Sequence, residues 1–339
     1  MAKDQIEATF TQNIDDERKS IIKVENLTKI FKIGRFKKRL VHAVTDVSFQ
    51  INSGEILALV GESGCGKTTI ARVIGRLYEP TAGHIYLYDK EIPKKMKREQ
   101  LFEYRKHVQM IFQDPFAAMN PLHTIEFILQ RPLKLHKMTS RNKVKDKIME
   151  LLDMCGLPQN EEFLKRYPHE LSGGQLQRVV IARALAVGPN LVLADEPTSM
   201  LDVSIRLEIM NLMLDLKEKE NISYLFITHD SAGAHYMSER IAVMYAGYIV
   251  EIGNSDEIID RPLHPYTQLL KEAAPKPETG LKPERIDIGG EVPDLSRLPK
   301  GCPFRVRCNY SLSKCSEEFP KMYKIGEEHQ VRCYLYEEK

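Results

Sequence analysis

The chain has 339 residues, 42% of them hydrophobic, enough to bury one large α/β core with a smaller attachment, so two or three subdomains are expected. Its 49 Lys and Arg against 47 Asp and Glu leave a formal net charge of +2, which removes any global electrostatic reason to expect nucleic acid as a partner. No apolar run approaches the roughly 18 residues that a membrane-spanning helix needs.

Residues 1–20 are polar and charged without an apolar segment of signal-peptide type. They are expected to form a flexible extension of a protein that stays in the cytoplasm. The basic runs Lys37–Arg39 and Lys94–Arg98 read as solvated loops or helix faces rather than as contacts to phosphate or lipid. In chain order, short apolar runs predict strands at Ile21–Val24, Val41–Phe49 and Glu55–Val60, and at Gly83–Tyr88 after a Pro-Thr-Ala-Gly turn. From about Leu101 to Arg166 the composition shifts to helix formers, with Val144, Ile148, Leu151 and Leu152 at three- and four-residue spacing, which predicts a helical insertion. Helix Gln175–Val187, strand Leu191–Ala194, helix Ile205–Lys219 and strand Ser223–Thr228 then alternate as a parallel sheet with crossover helices requires. A proline-rich connector, Ala273–Gly280, leads into a tail with little periodicity, read as a separate attachment. Four of the six cysteines, Cys302, Cys308, Cys315 and Cys333, crowd that tail, whereas Cys65 and Cys155 stand alone.

Gly61-Glu-Ser-Gly-Cys-Gly-Lys-Thr68 lies between the run Glu55–Val60 and Thr69–Ile74, the strand, glycine loop and helix order of a phosphate-binding loop. Gly61, Gly64 and Gly66 let the backbone wrap an anion, with Ser63, Cys65 and Thr69 in the same cradle. Lys67 adds a mobile positive charge, and the Thr68 hydroxyl suits Mg²⁺. Cys65 reads most simply as a small tolerated residue, with redox control as the alternative. Leu191–Glu196 is an apolar strand ending in two carboxylates: Asp195 is expected to face magnesium, and Glu196 to polarise the attacking water. Leu171-Ser-Gly-Gly-Gln175 opens a second helix with another anion-binding N-terminus. One nucleotide does not need both, so Ser172, Gly173, Gly174 and Gln175 are expected to serve the nucleotide of a second subunit.

The order of these segments resembles that of an ATP-binding cassette (ABC) subunit. Gly61–Thr68 matches the Walker A loop, Leu171–Gln175 the family signature and Leu191–Glu196 Walker B with its catalytic glutamate. Gln113 in Phe-Gln-Asp-Pro matches the Q-loop, Ser199-Met-Leu-Asp202 the D-loop with Met200 where alanine is usual, and His229 in Ile-Thr-His-Asp the switch histidine. Phe31 resembles the aromatic that stacks on adenine, where the family more often has Tyr; Phe36 lies nearby. The resemblance implies an α/β P-loop NTPase fold: an ABC nucleotide-binding domain over residues 21–272, with an antiparallel β subdomain and a helical subdomain at about 101–175. A small cysteine-rich C-terminal appendage follows at 273–339. It implies ATP and Mg²⁺ as cofactors, with Gln113 joining Thr68 and Asp195 around the metal and His229 holding Glu196, water and the γ-phosphate in register.

Arg261–Thr267 and Gly301–Cys308 are similar to segments of the ATPase subunits of oligopeptide and dipeptide importers, a branch also recruited for oligosaccharide and nickel uptake. The form of the phosphate loop looks like the second of the two ATPase types in such importers. That implies a heterodimer with a paralogous ATPase, two membrane permeases, an extracytoplasmic solute-binding protein as an indirect partner, and a peripheral place at the cytoplasmic face of the membrane. A non-transport cassette ATPase of translation or repair is a rival, but such chains usually carry two cassettes or long coiled-coil inserts. A regulatory module that leaves turnover to its partner is a second rival, opposed by the intact Lys67, Asp195, Glu196 and His229. The cysteine spacing fits neither common zinc ribbons nor the tight ferredoxin run. Spacing alone leaves an iron–sulfur cluster, zinc and unligated or disulfide-forming thiols open; the resemblance favours a 4Fe–4S cluster.

Overall fold

The computed structural model describes residues 20–34, 39–273 and 293–337. The expected flexible extension, apart from Ser20, therefore lies outside the described residues, as do Phe36 and nearly all of the proline-rich connector. Strand β1 (Ser20–Ile33) pairs antiparallel with β2 (Arg39–Asn52) on one side and β4 (Ala82–Leu87) on the other. With β5 (Lys90–Glu91) they form a four-stranded sheet in the order β2-β1-β4-β5. The basic run Lys94–Arg98 is largely solvent-exposed beyond it, as expected of a solvated segment.

The second sheet has eight strands in the order β11-β12-β10-β9-β3-β8-β7-β6. Strands β3 (Ile56–Val60), β6 (Val108–Ile111), β7 (Leu191–Asp195), β8 (Ser223–Thr228) and β9 (Arg240–Tyr245) are parallel. Strands β3, β7 and β8 are buried along their whole length, which is why they read as unbroken apolar runs rather than alternating ones. Successive side chains still leave on opposite faces: Ile56, Ala58 and Val60 enter one apolar cluster, and Leu57 and Leu59 enter the other.

Helices α1 (Lys67–Ile74) and α2 (Arg98–His107) precede β6. Helices α3 (Ile125–Leu135), α4 (Val144–Met154) and α5 (Glu161–Lys165) then project from the sheet, and α6 (Gly173–Leu185) returns to it. In α4 the buried residues are Val144, Ile148, Leu151 and Leu152, the stripe that the sequence spacing predicts. The helical insertion begins later than expected, because Val108–Ile111 is an edge strand of the core sheet. Four residues bonded to one neighbour give too short an alternation to stand out in a helix-rich stretch.

Helix α7 (Val203–Glu220) crosses to β8, and α8 (Ser231–Met237) to β9. Strand β10 (Tyr248–Asn254), α9 (Ser255–Asp260) and α10 (Pro265–Ala273) follow. The C-terminal segment does not stand apart from this body. Its strands β11 (Tyr323–Lys324) and β12 (Gln330–Val331) extend the core sheet, with β12 antiparallel to β10 at Glu251 and Ile252. Phe304 belongs to the main apolar cluster. The separate attachment expected from the sequence is thus continuous with the core. Two-residue strands leave no periodicity to read, so this docking was invisible in the sequence.

Candidate functional site

The C-terminal ends of β3 and β7, and that of β8, deliver the loops of one site to one sheet edge, where open α/β sheets bind ligands. After β3 the chain turns through Gly61 (φ 153°), Gly64 (φ 79°) and Gly66 (φ 113°) into α1. A Cβ on Gly66 would sit 2.1 Å from the Ala43 carbonyl oxygen, and one on Gly61 2.2 Å from that of Met244, so a side chain at either position would push the loop off the strands behind it. Helix α1 starts without a side-chain cap, which leaves its first N–H groups directed at the cavity in front. The buried Lys67 ammonium donates to the carbonyls of Gly61 at 2.5 Å and Glu62 at 3.0 Å.

That cavity, about 530 Å³, is lined by Phe31, Val41, Ala43, Ser63, Gly64, Gly66, Lys67, Thr68, Thr69, Gln113, Glu196, His229 and Leu295. Beside it the Thr68 hydroxyl donates to Asp195 Oδ1 at 2.9 Å. Burial pushes the Asp195 carboxyl up from the usual carboxylate range, and the Thr68 hydroxyl opposes that shift. Gln113 Nε2 donates to Glu196 Oε2 at 3.0 Å, and His229 Nδ1 lies 3.4 Å from the same oxygen. Of the three residues expected around magnesium, Thr68 and Asp195 touch each other, while the Gln113 amide engages Glu196.

Glu196 has φ 48°, an uncommon conformation for a side chain of its size. It is held there by its own N–H, which donates to the Ile227 carbonyl at 2.9 Å, and by its carbonyl, which accepts from the Ser199 hydroxyl at 3.0 Å. Cys65 sits in the phosphate loop, but its thiol is fully buried and does not line the cavity. Burial raises that thiol, which suits the small-residue reading and disfavours a reactive thiolate.

Ser172, Gly173, Gly174 and Gln175 do not line this cavity, nor does Asp202. Ser172 caps α6: its hydroxyl accepts from Gln175 N at 3.3 Å, and Gln175 Oε1 accepts from Ser172 N at 3.2 Å. Asp202 precedes α7 without a side-chain cap bond, between the exposed Met200 and Val203.

Cys302, Cys308, Cys315 and Cys333 line one cavity of about 20 Å³ with His264, Phe304 and Tyr334. The expected ligand set is therefore gathered but not closed. Among the described residues no group of three or more His, Cys, Asp or Glu is placed to hold a metal ion. Burial pushes Cys302 up to about 12 and Cys333 to about 11.

The family model described as ABC transporter matches residues 44–199, and that of the oligopeptide/dipeptide transporter C-terminal region matches 250–315. The oligopeptide transport ATP-binding protein AppF of Bacillus subtilis is 42% identical over 325 residues, covering 94% of this chain and 98% of the relative. The chain belongs to the ABC transporter ATP-binding family, in its oligopeptide/dipeptide branch. It is an ATPase of that family.

Among further relatives in this branch, the dipeptide transport ATP-binding protein DppF of Haemophilus influenzae is 39% identical over 89% of this chain and 92% of its own length. The oligopeptide transport ATP-binding protein OppF of Streptococcus mutans is 47% identical over 80% and 87%. A solved dimer of the ATP-binding cassette MJ0796 in a post-hydrolysis state, bound to ADP and Pi, superposes with a TM-score of 0.62 at 32% identity, covering 69% of this chain and 98% of that one. Among the described residues of this cassette no helix is long and apolar enough to cross a membrane.

Four contributors to the site escaped the sequence reading. Val41 and Ala43 alternate on a strand opposite Phe31, which is a legible signal once Phe31 is chosen. Leu295 and Glu62 carried no such mark.

Proposed function

We propose that the chain is the energy-supplying subunit of an importer of oligopeptides or dipeptides, working at the inner face of the membrane with separate permease subunits. The observation that carries this reading is the meeting of Gln113 and His229 on Glu196 across the cavity from the glycine loop and Lys67. The loop backbone and Lys67 bind the triphosphate, and the apolar side at Phe31 takes the base. Thr68 and Asp195 present a hydroxyl and a carboxylate, the oxygen donors that Mg²⁺ prefers; when bound, the ion neutralises charge on the β- and γ-phosphates. Glu196 accepts the proton of the attacking water, and His229 and Gln113 fix the carboxylate that does so.

The signature helix lies outside its own chain's cavity, and Met200 and Val203 present apolar surface next to Asp202. Both features support a sandwich in which Ser172, Gly173, Gly174, Gln175 and Asp202 close the site of a second, paralogous ATPase. The dimeric form of MJ0796 supports the same assembly. A cavity of about 460 Å³ between α2 and α3, lined by Phe112, Phe127, Arg131 and Arg183 and one residue before Gln113, is the place for a short permease helix. The kinship with oligopeptide and dipeptide transport proteins favours peptide over oligosaccharide or nickel as cargo.

The four tail thiols are soft donors around one cavity, a set suited to an iron–sulfur cluster, with zinc as the alternative. Iron, sulfide and zinc analysis of anaerobically prepared protein tests that assignment, and absence of all three removes it. For turnover, Glu196→Gln is expected to keep ATP affinity while steady-state hydrolysis by the assembled transporter drops by about 10²-fold or more. Wild-type hydrolysis by that variant would falsify the role given to Glu196.

A further inference from the structure

The nucleotide cavity has one side that none of the motifs supplies. Leu295 comes from the C-terminal segment, more than two hundred residues after the phosphate loop, yet lines the same space as Phe31, Val41 and Ala43. Its carbonyl accepts from His42 N at 2.9 Å, which seats it on β2 between Val41 and Ala43. Asp294 and Ser296, on either side, bind the Arg39 guanidinium. Val41 and Ala43 share one face of β2, and Phe31 lies directly opposite Val41 in the β1–β2 register. Leu295 thus joins three side chains on the apolar side of the cavity, where a planar base rather than a phosphate finds complementary surface.

The same segment also reaches the phosphate loop. Arg307 Nη1 and Nη2 donate to the two carboxylate oxygens of Glu62 at 2.9 and 2.8 Å, a bidentate pair between a nearly buried guanidinium and a loop residue. Nη1 also donates to the Tyr245 hydroxyl at 3.3 Å. The Glu62 N–H donates to the Tyr266 hydroxyl at 2.9 Å, so both the backbone and the side chain of this residue are gripped from outside the loop. Phe304 packs on Tyr245 and Tyr266 with centroids at 5.2 and 5.5 Å, which fixes the aromatic wall against which Arg307 lies. A free Glu62 carboxylate beside an arriving triphosphate would repel it, and the paired guanidinium cancels that charge while setting the loop's position.

We propose that the C-terminal segment is a working part of the nucleotide site: Leu295 contacts the base, and Arg307 is a positioning residue that holds the phosphate loop through Glu62. This rests on the reading of the 530 Å³ cavity as the ATP site. The test is calorimetric binding of ATP and of inorganic tripolyphosphate to the full chain, with melting curves to establish folding. Lys67→Ala is the control and is expected to lose ATP.

Leu295→Ala is expected to weaken ATP by about 10-fold and leave tripolyphosphate unchanged, because only the base end is touched. Arg307→Ala is expected to weaken both ligands by about 10-fold, with Arg307→Lys recovering part of the loss and KM for ATP rising more than kcat falls. In a Glu62→Gln background the penalty of Arg307→Ala is expected to shrink towards unity, which a role in general stability would not produce. If Arg307→Ala does not fold, Arg307→Lys and Glu62→Gln, which keep the packing, are measured instead, and both are expected to weaken tripolyphosphate.

Folded Leu295 and Arg307 variants that bind both ligands as wild type does, while Lys67→Ala has lost ATP, overturn the inference and leave the nucleotide reading intact. Wild-type ATP affinity in Lys67→Ala overturns that reading itself. Equal loss of ATP and tripolyphosphate in Leu295→Ala overturns the assignment of Leu295 to the base.

Discussion

The central parallel strands and the C-terminal segment reach order by opposite means. Strands β3, β7 and β8 are buried from end to end, and their side chains feed two apolar clusters on the two faces of the sheet. Residues 293–337 bury only a few apolar side chains, among them Phe304, Val331 and Tyr334, and form two strands of two residues each. They are fastened instead by side-chain hydrogen bonds to distant parts of the chain: His329 with Glu251, Arg307 with Glu62 and Arg332 with Asp46. Apolar burial is non-directional and spreads its effect over many atoms. A buried polar contact concentrates it, since removing one partner strands the other in a medium that solvates it poorly. The core should therefore fail gradually under substitution, and the tail abruptly.

The largest effect is expected at Glu251, which is fully buried and accepts from Leu263 N, His264 N and His329 Nε2. Glu251→Ala is expected to cost about 3–5 kcal/mol in denaturant unfolding, and a loss below 1 kcal/mol would break the contrast. Leu225→Ala, at a fully buried core position, is expected to cost about 3 kcal/mol. A steeper loss there than at Glu251 would reverse the ranking.

His264 sharpens the comparison through pH. Burial holds its imidazole down to about 4, and its Nδ1 accepts from Tyr266 N, a role open only to the neutral ring. The unfolded chain therefore binds the extra proton first, so the contribution is intact above about 6.5 and is lost as pH falls towards 4. About 3 kcal/mol of acid-dependent stability is expected over that window, and His264→Phe should flatten it; an unchanged pH profile in that variant would exclude His264 as the source. At the exposed start of α6, Ser172→Ala removes a cap and is expected to cost about 1 kcal/mol. Lys147→Ala, which breaks an exposed pair with Glu150, is expected to stay within about 0.5 kcal/mol, and a larger shift in melting would show that surface pairs matter here.

The same contrast decides what could be read before the structure. The phosphate loop, the paired acids at the end of β7 and the capped start of α6 each need fixed residue types at fixed local spacing, so Gly61–Thr68, Asp195–Glu196 and Ser172–Gln175 stood out as local patterns. The core strands were legible because burial on both faces forces continuous apolar runs. The anchoring of the tail was not, because its partners stand 78 residues apart for His329 and Glu251, 245 for Arg307 and Glu62, and 286 for Arg332 and Asp46. No local periodicity encodes a single contact across such separations. Leu295 escaped for the same reason: its place in the 530 Å³ cavity follows from a backbone bond to His42.

Strand β12 also settles where the large sheet stops. β10 runs for seven residues through Ile249, Val250 and Ile252, and left uncovered it would offer a ladder of unpaired amides to any similar strand. β12 occupies it at Glu251 and Ile252, and the outermost strand, β11, is two residues long, too short to template another molecule. A chain cut after Ala273 would expose that row, and its first symptom would be intermolecular strand pairing and precipitation at high concentration.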